Sequence, residues 1–131
     1  MDPIKLALIE DNTTDSLIIE KVLANKEYSF ELTTFSNLQE FKSGWKSEEI
    51  DLVISDHQMP GASSFDVVTY IRERSSDIPI IILSGSLEDN EVARLIIDYR
   101  VNDIVLKHDL ARFYSKRTSG KKIAPATGKA N

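Results

Sequence analysis

The chain has no cysteine in its 131 residues. That excludes a disulfide framework, a thiolate metal site and a cysteine nucleophile. It has 2 histidines, too few for an all-histidine zinc site. No apolar run approaches the ~18 residues of a membrane-spanning helix. The opening Met1-Asp2-Pro3-Ile4-Lys5 lacks the basic start and long apolar stretch of a signal peptide. No glycine-rich loop follows the first apolar run, which counts against a nucleotide-binding sheet. Acidic residues stop at Asp109, whereas Arg112, Lys116, Arg117, Lys121, Lys122 and Lys129 lie beyond it. The net charge of −5 is therefore uneven: 10 basic against 21 acidic residues leave −11 before residue 110, and the tail carries +6. An acidic body argues against a nucleic-acid partner. Together these absences lead us to expect a cytoplasmic protein with no membrane segment.

What is present suffices for a folded domain. The chain is 41% hydrophobic and 28% charged, ordinary for a globular protein of this length. Residues 1–115 read as one domain. Residues 116–131 read as a basic flexible tail or linker, because Ser119 to Lys129 offers almost nothing to bury.

Within the body two periods alternate. Leu6-Ala7-Leu8-Ile9, Leu52-Val53-Ile54, Ile80-Ile81-Ile82-Leu83 and Ile104-Val105-Leu106 are continuous apolar runs. Such runs mark strands covered on both faces. Phe30 and Leu32 alternate with polar residues, as in a strand nearer an edge. Helical stripes lie between them. The first contains Leu17, Ile18, Val22 and Leu23. The second runs from Ser36 to Gly44 and opens on Ser-x-x-Gln, a capping-box pattern. The third contains Phe65, Val68 and Ile71 behind a cap at Ser63 or Ser64. The fourth contains Val92, Leu95, Ile96 and Tyr99. A fifth begins near Asp109, with Leu110 and Phe113 inward. Strand–helix repeated five times predicts an α/β fold: a five-stranded parallel sheet, doubly wound.

Ligands of such sheets bind at the carboxyl ends of the strands. Glu10 and Asp11 follow the first run, Ser55 and Asp56 the third, Ser84 the fourth and Lys107 the fifth. Each has a plain alternative. Acids favour a helix's first turn, Asp56 suits a turn cap, Ser84 a strand end, and most lysines are solvated. His57 reads as a surface-loop residue. Met59 and the aromatic residues read as packing, with Trp45 over a core edge. The convergence on one rim is the signal. Clustered carboxylates repel unless a cation neutralises them. Oxygen-only ligands suit a hard ion such as Mg²⁺. One carboxylate can then act as a nucleophile toward phosphorus, with Lys107 and Ser84 supplying charge and a donor to the phosphoryl oxygens.

In order and spacing, Leu8-Ile9-Glu10-Asp11-Asn12, Val53 to Gly61, Ile78 to Gly85 and Asp103 to Lys107 resemble the receiver domain of two-component response regulators, over residues 4 to about 115. The resemblance implies a flavodoxin-like receiver with Asp56 as phosphoacceptor. It implies Mg²⁺ held by Asp11, Asp56 and the Gln58 backbone carbonyl, with Glu10 assisting through water. Ser84 and Lys107 would bind the phosphoryl group. The implied donor is a histidine kinase or histidine phosphotransfer protein. The implied response shifts the face of the fourth helix, fifth strand and fifth helix, which could also serve a dimer. The output partner or fused domain is not named by the sequence. Such a chain is no enzyme beyond its own aspartyl phosphorylation and dephosphorylation. The alternatives are a non-phosphorylated pseudo-receiver, which would be favoured by loss of an acid or the lysine, and a Mg²⁺ phosphohydrolase, disfavoured by Gln58 where a second acid is needed.

The chain departs from the family pattern in four places. His108 stands where proline is usual, Ile104 replaces the aromatic of the fifth strand, and Ser64 and Arg100 occupy positions where glycine is common. A cis bond before a non-proline residue costs roughly 3 kcal/mol, so a trans Lys107–His108 bond is expected.

Overall fold

A computed structural model describes residues 3–24 and 29–109. Five parallel strands form the sheet: β1 (Ile4–Ile9), β2 (Phe30–Phe35), β3 (Leu52–Asp56), β4 (Ile80–Ser84) and β5 (Asp103–Leu106). Their spatial order is β2-β1-β3-β4-β5. The helices are α1 (Thr13–Ala24), α2 (Leu38–Ser43), α3 (Ser64–Arg72) and α4 (Asp89–Ala93), the last continued by a π turn over Arg94–Asp98. The expected doubly wound α/β architecture is therefore the one found.

The apolar runs are continuous because alternate residues enter two different cores. Leu6, Leu8, Ile54 and Leu83 meet Ile19 of α1 on one face. Ala7, Ile9, Val53, Ile80 and Ile82 meet Phe41 of α2, Val67, Val68 and Ile71 of α3, and Leu95 on the other. Fully burying one such side chain is worth about 1.5–3 kcal/mol, so both layers bind the helices firmly. Phe41 stacks edge-on with Phe35, Trp45 and Tyr70, and this closes the second core at its margin. Met59 is buried there too, as expected of a packing residue. β2 and β5 form the two edges of the sheet. β2 alternates as expected of an edge strand, whereas Ile104, Val105 and Leu106 of β5 are only half-buried, a correction to the expectation that their run is covered on both faces.

Three helices differ from their sequence reading. In α1 the buried residues are Ile19 and Val22, while Leu17 is 49% exposed. The Asn12 side chain accepts from the Asp15 N–H at 2.9 Å and caps the helix start, and Asp15, half-buried, lies one turn before the buried Ile19. In α2 the cap is Asn37, not Ser36. Asn37 Oδ1 accepts from the Glu40 N–H, and Glu40 reaches back to the Ser36 N–H. In the fourth helix the Tyr99 N–H bonds the Arg94 carbonyl five residues back. This wide turn keeps Leu95 buried but turns Ile96 outward, 47% exposed, against the expected stripe. Ser63 caps α3 in a capping box with Asp66, one of the two expected choices.

Gly61 has φ +75° at the tip of a two-stranded hairpin joining Gln58–Met59 to Ala62–Ser63. That backbone conformation favours glycine. Arg100 adopts the same region at φ 56°. Three hydrogen bonds from Arg72 hold this turn, to the carbonyls of Tyr99, Ile78 and Arg100 at 2.8, 2.8 and 3.0 Å. Lys107 to Asp109 are helical, so the fifth helix starts two residues earlier than expected. Leu110, Phe113 and the proposed tail lie outside the described residues. Among the described residues no helix is long and apolar enough to cross a membrane.

Candidate functional site at the carboxyl rim of the sheet

β1 and β3 are neighbours, and both end at the same rim. Glu10 follows the last residue of β1, and its N–H bonds the Phe35 carbonyl of β2. Asp56 is the last residue of β3 and is 5% exposed. Asp11 is the next residue after Glu10 and is exposed. One carboxylate oxygen from each of Glu10, Asp11 and Asp56 lies within 4.8 Å of the others. Lys107, directly after β5, reaches across the rim. Its Nζ lies 3.1 Å from Asp56 Oδ1, 3.2 Å from Glu10 Oε1 and 3.0 Å from Asp15 Oδ2.

The charges explain the chemistry available. The Glu10 side chain is wholly buried. Burial, reinforced by the charge of Asp56, raises its pKa from 4.5 to about 7. The Asn12 N–H bonded to Oε2 at 3.1 Å and the Lys107 ammonium oppose that rise without cancelling it. Burial alone would lower the Lys107 pKa. Hydrogen bonds to Asp15 and Asp56, with the charges of Asp56 and Glu10, outweigh it and hold Lys107 above its ordinary value. One ammonium therefore serves three carboxylates, with Asp11 beside them, and leaves the cluster short of positive charge. Glu10 Oε1 is buried and has no partner beyond its 3.2 Å ion pair with Lys107. An all-oxygen set with unspent acceptor capacity fits a hard divalent cation.

The remaining candidates sit nearby with other partners. Ser84, 1% exposed, ends β4 beside β3, and its hydroxyl donates to the Ser86 carbonyl at 2.6 Å. Gln58 is exposed and opens the hairpin just beyond Asp56. The Lys107–His108 bond is trans, as no described peptide bond is cis.

His57 corrects its sequence reading. It is 2% exposed, not a surface-loop residue. Its N–H bonds the Leu83 carbonyl, Nδ1 lies 2.7 Å from Ser64 Oγ, and the ring stacks edge-on with Phe65. The hairpin folds α3 back over the strand end and covers the ring. Ser64 therefore stands at a glycine-type position as the partner of His57. Sequence reasoning also missed Asp15. Its place in the first turn of the helix that follows Glu10 and Asp11 was the available signal.

Buried carboxylates and a lysine thus gather at the strand ends of a doubly wound, flavodoxin-like sheet. Residues 6–116 match the family model of the response regulator receiver domain, and the chain belongs to that family. Among curated relatives, the two-component response regulator ARR3 of Arabidopsis thaliana is 24% identical, aligned over 94% of this chain and 59% of its own length. The autoinducer 1 sensor kinase/phosphatase LuxN of Vibrio harveyi is 31% identical over 57% of this chain and 10% of its own length. The chain thus spans only part of both relatives. The phosphorylated cyanobacterial phytochrome response regulator RcpA superposes with a TM-score of 0.73 at 22% identity, covering 96% of this chain and 98% of that one. The Mn²⁺-bound form of response regulator Rcp1 gives 0.70 at 20% identity, covering 98% and 100%. At these identities the likeness to solved structures is one of fold.

Proposed function

We propose that this receiver domain accepts a phosphoryl group on Asp56 from a histidine kinase or histidine phosphotransfer protein, in a Mg²⁺-dependent step. The observation that carries this reading is the Lys107 ammonium 3.1 Å from Asp56 Oδ1, beside the Glu10–Asp11–Asp56 cluster. Asp11, Asp56 and the Gln58 carbonyl are the residues to hold the ion, with Glu10 behind them. The ion, when bound, supplies positive charge to the donor's phosphoryl oxygens. Mn²⁺ in Rcp1 is a property of that protein, and it agrees with a divalent site on this fold.

An Asp56 carboxylate oxygen attacks phosphorus as the P–N bond to the donor imidazole breaks, and the leaving nitrogen takes a proton. Lys107 is already within reach of the oxygens that gain charge, which is where stabilisation counts. Ser84 then exchanges the Ser86 carbonyl for a phosphoryl oxygen and draws the β4–α4 connection inward. This shifts the population of two packings of the α4–β5 face, where Ile96 and Ile97 are 47% and 73% exposed. That face is the output and dimer surface in our reading. The protein catalyses its own aspartyl phosphorylation and dephosphorylation and no other reaction. The pseudo-receiver alternative gains no support from the site, because the acids and the lysine are all in place.

The test is incubation with a small phosphodonor and Mg²⁺, followed by mass spectrometry. We expect label on Asp56, none in Asp56→Asn, and none with a chelator. Undiminished labelling of Asp56→Asn would remove the assignment.

A further inference from the structure

The phosphoryl-transfer scheme uses Lys107 but assigns nothing to Asp15, although Asp15 Oδ2, at 3.0 Å, is the nearest carboxylate oxygen to the ammonium. Lys107 has three N–H donors, and three carboxylates surround it: Glu10 at 3.2 Å, Asp56 at 3.1 Å and Asp15. Glu10 and Asp56 lie on the floor of the site, at the ends of β1 and β3. Asp15 comes from elsewhere, the first turn of α1. Its direction is fixed twice over. Its N–H bonds Asn12 Oδ1 at 2.9 Å, and Ile19, one turn further on, is 4% exposed against the sheet. The Asp15 side chain keeps 27% of its surface, so it is not buried as a core group.

A lysine side chain is a flexible stem carrying a point charge. With floor acceptors alone, the ammonium of Lys107, itself 24% exposed, could swing toward solvent. An acceptor on its α1 side limits that swing.

We propose that Asp15 is a positioning residue: it anchors the Lys107 ammonium over Asp56 from the α1 side, and so sets the rate of phosphoryl transfer. The inference rests on the phosphoacceptor reading, because it deepens the role of the same lysine. Asp15 touches no reacting atom and acts only through Lys107. The identity of the residue at this position would then tune transfer without altering the phosphoacceptor, the metal ligands or the lysine.

The experiment compares labelling rates of the full chain with a small phosphodonor at saturating Mg²⁺. Asp15→Ala should slow labelling about tenfold, the scale of one lost charge-assisted hydrogen bond. Asp15→Glu should restore most of the rate, and Asp15→Asn, which keeps an acceptor oxygen but no charge, should fall between. In a Lys107→Met background Asp15→Ala should have no further effect, because the group it anchors is gone. A wild-type rate in Asp15→Ala, or an equal slowing in the Lys107→Met background, overturns the proposal. Should Asp15→Ala not fold, the Asn and Glu variants carry the comparison, and equal rates in both and in the wild type overturn it. If the wild type takes no label, the phosphoacceptor reading fails instead. The anchor is then read from the Lys107 ammonium resonance by NMR. A signal protected from exchange in the wild type and Asp15→Glu but lost in Asp15→Asn supports the anchor, and no difference among the three overturns it.

Discussion

Without metal, the protein should lose stability as pH rises from 5 to 8, and Glu10 should be the cause. Its carboxyl has a folded pKa of about 7 against an ordinary 4.5. A raised pKa means the folded state holds this proton more tightly than the unfolded chain. The stabilisation is therefore complete below about pH 4.5 and disappears as pH climbs through 7. At 1.36 kcal/mol per pK unit, the change between pH 5 and pH 8 comes to roughly 2–3 kcal/mol. Lys107 contributes no slope in this window, since its ammonium is held above its ordinary value and stays charged. The assay is urea unfolding with a chelator present. With a slope of about 1–3 kcal/mol per molar urea, the midpoint should fall by about 1–2 M from pH 5 to pH 8. Glu10→Gln cannot ionise, so its midpoint should be nearly flat over the window and higher than the wild type's at pH 8. Added Mg²⁺ should restore the wild type at pH 8 by binding the ionised cluster. An equal fall in wild type and Glu10→Gln would refute the assignment of the slope to Glu10.

Other consequences concern the surroundings of the site. His57→Ala should destabilise by about 3 kcal/mol in urea unfolding, since it opens a cavity and strips the buried Ser64 hydroxyl of its partner 2.7 Å away. Arg72→Ala should cost about 2–3 kcal/mol by the same measurement, because it abandons the carbonyls of Tyr99, Ile78 and Arg100. Arg72→Lys should recover little, as a point charge cannot span that fork. Arg100→Gly should raise stability by about 0.5–1 kcal/mol by relieving φ 56° while keeping the carbonyl that Arg72 uses. A loss there would show that the arginine side chain matters more than the backbone strain.

The three central strands were legible because each needs an uninterrupted apolar run to serve two cores at once, as Leu8 and Ile9 do, and β5 carries such a run although it lies at an edge and is only half-buried. Glu10, Asp11, Asp56, Ser84 and Lys107 were legible because a parallel doubly wound sheet brings all its strand ends to one rim. Sequence order alone thus places residues up to 97 positions apart together, and the Lys107–Glu10 contact has that separation. Other features were set only by tertiary packing. The starts of α1 and α2 depend on the caps Asn12 and Asn37, and at α2 Asn37 rather than Ser36 makes the bond through local side-chain geometry. The π turn moved Ile96 outward because the chain had to keep Leu95 in the core. The burial of His57 depends on a hairpin folding α3 back over the end of β3, which no periodicity reveals. The contact of Asp15 with Lys107 depends on that same kind of decision, since a one-residue change in the phase of α1 would carry its carboxylate away from the ammonium.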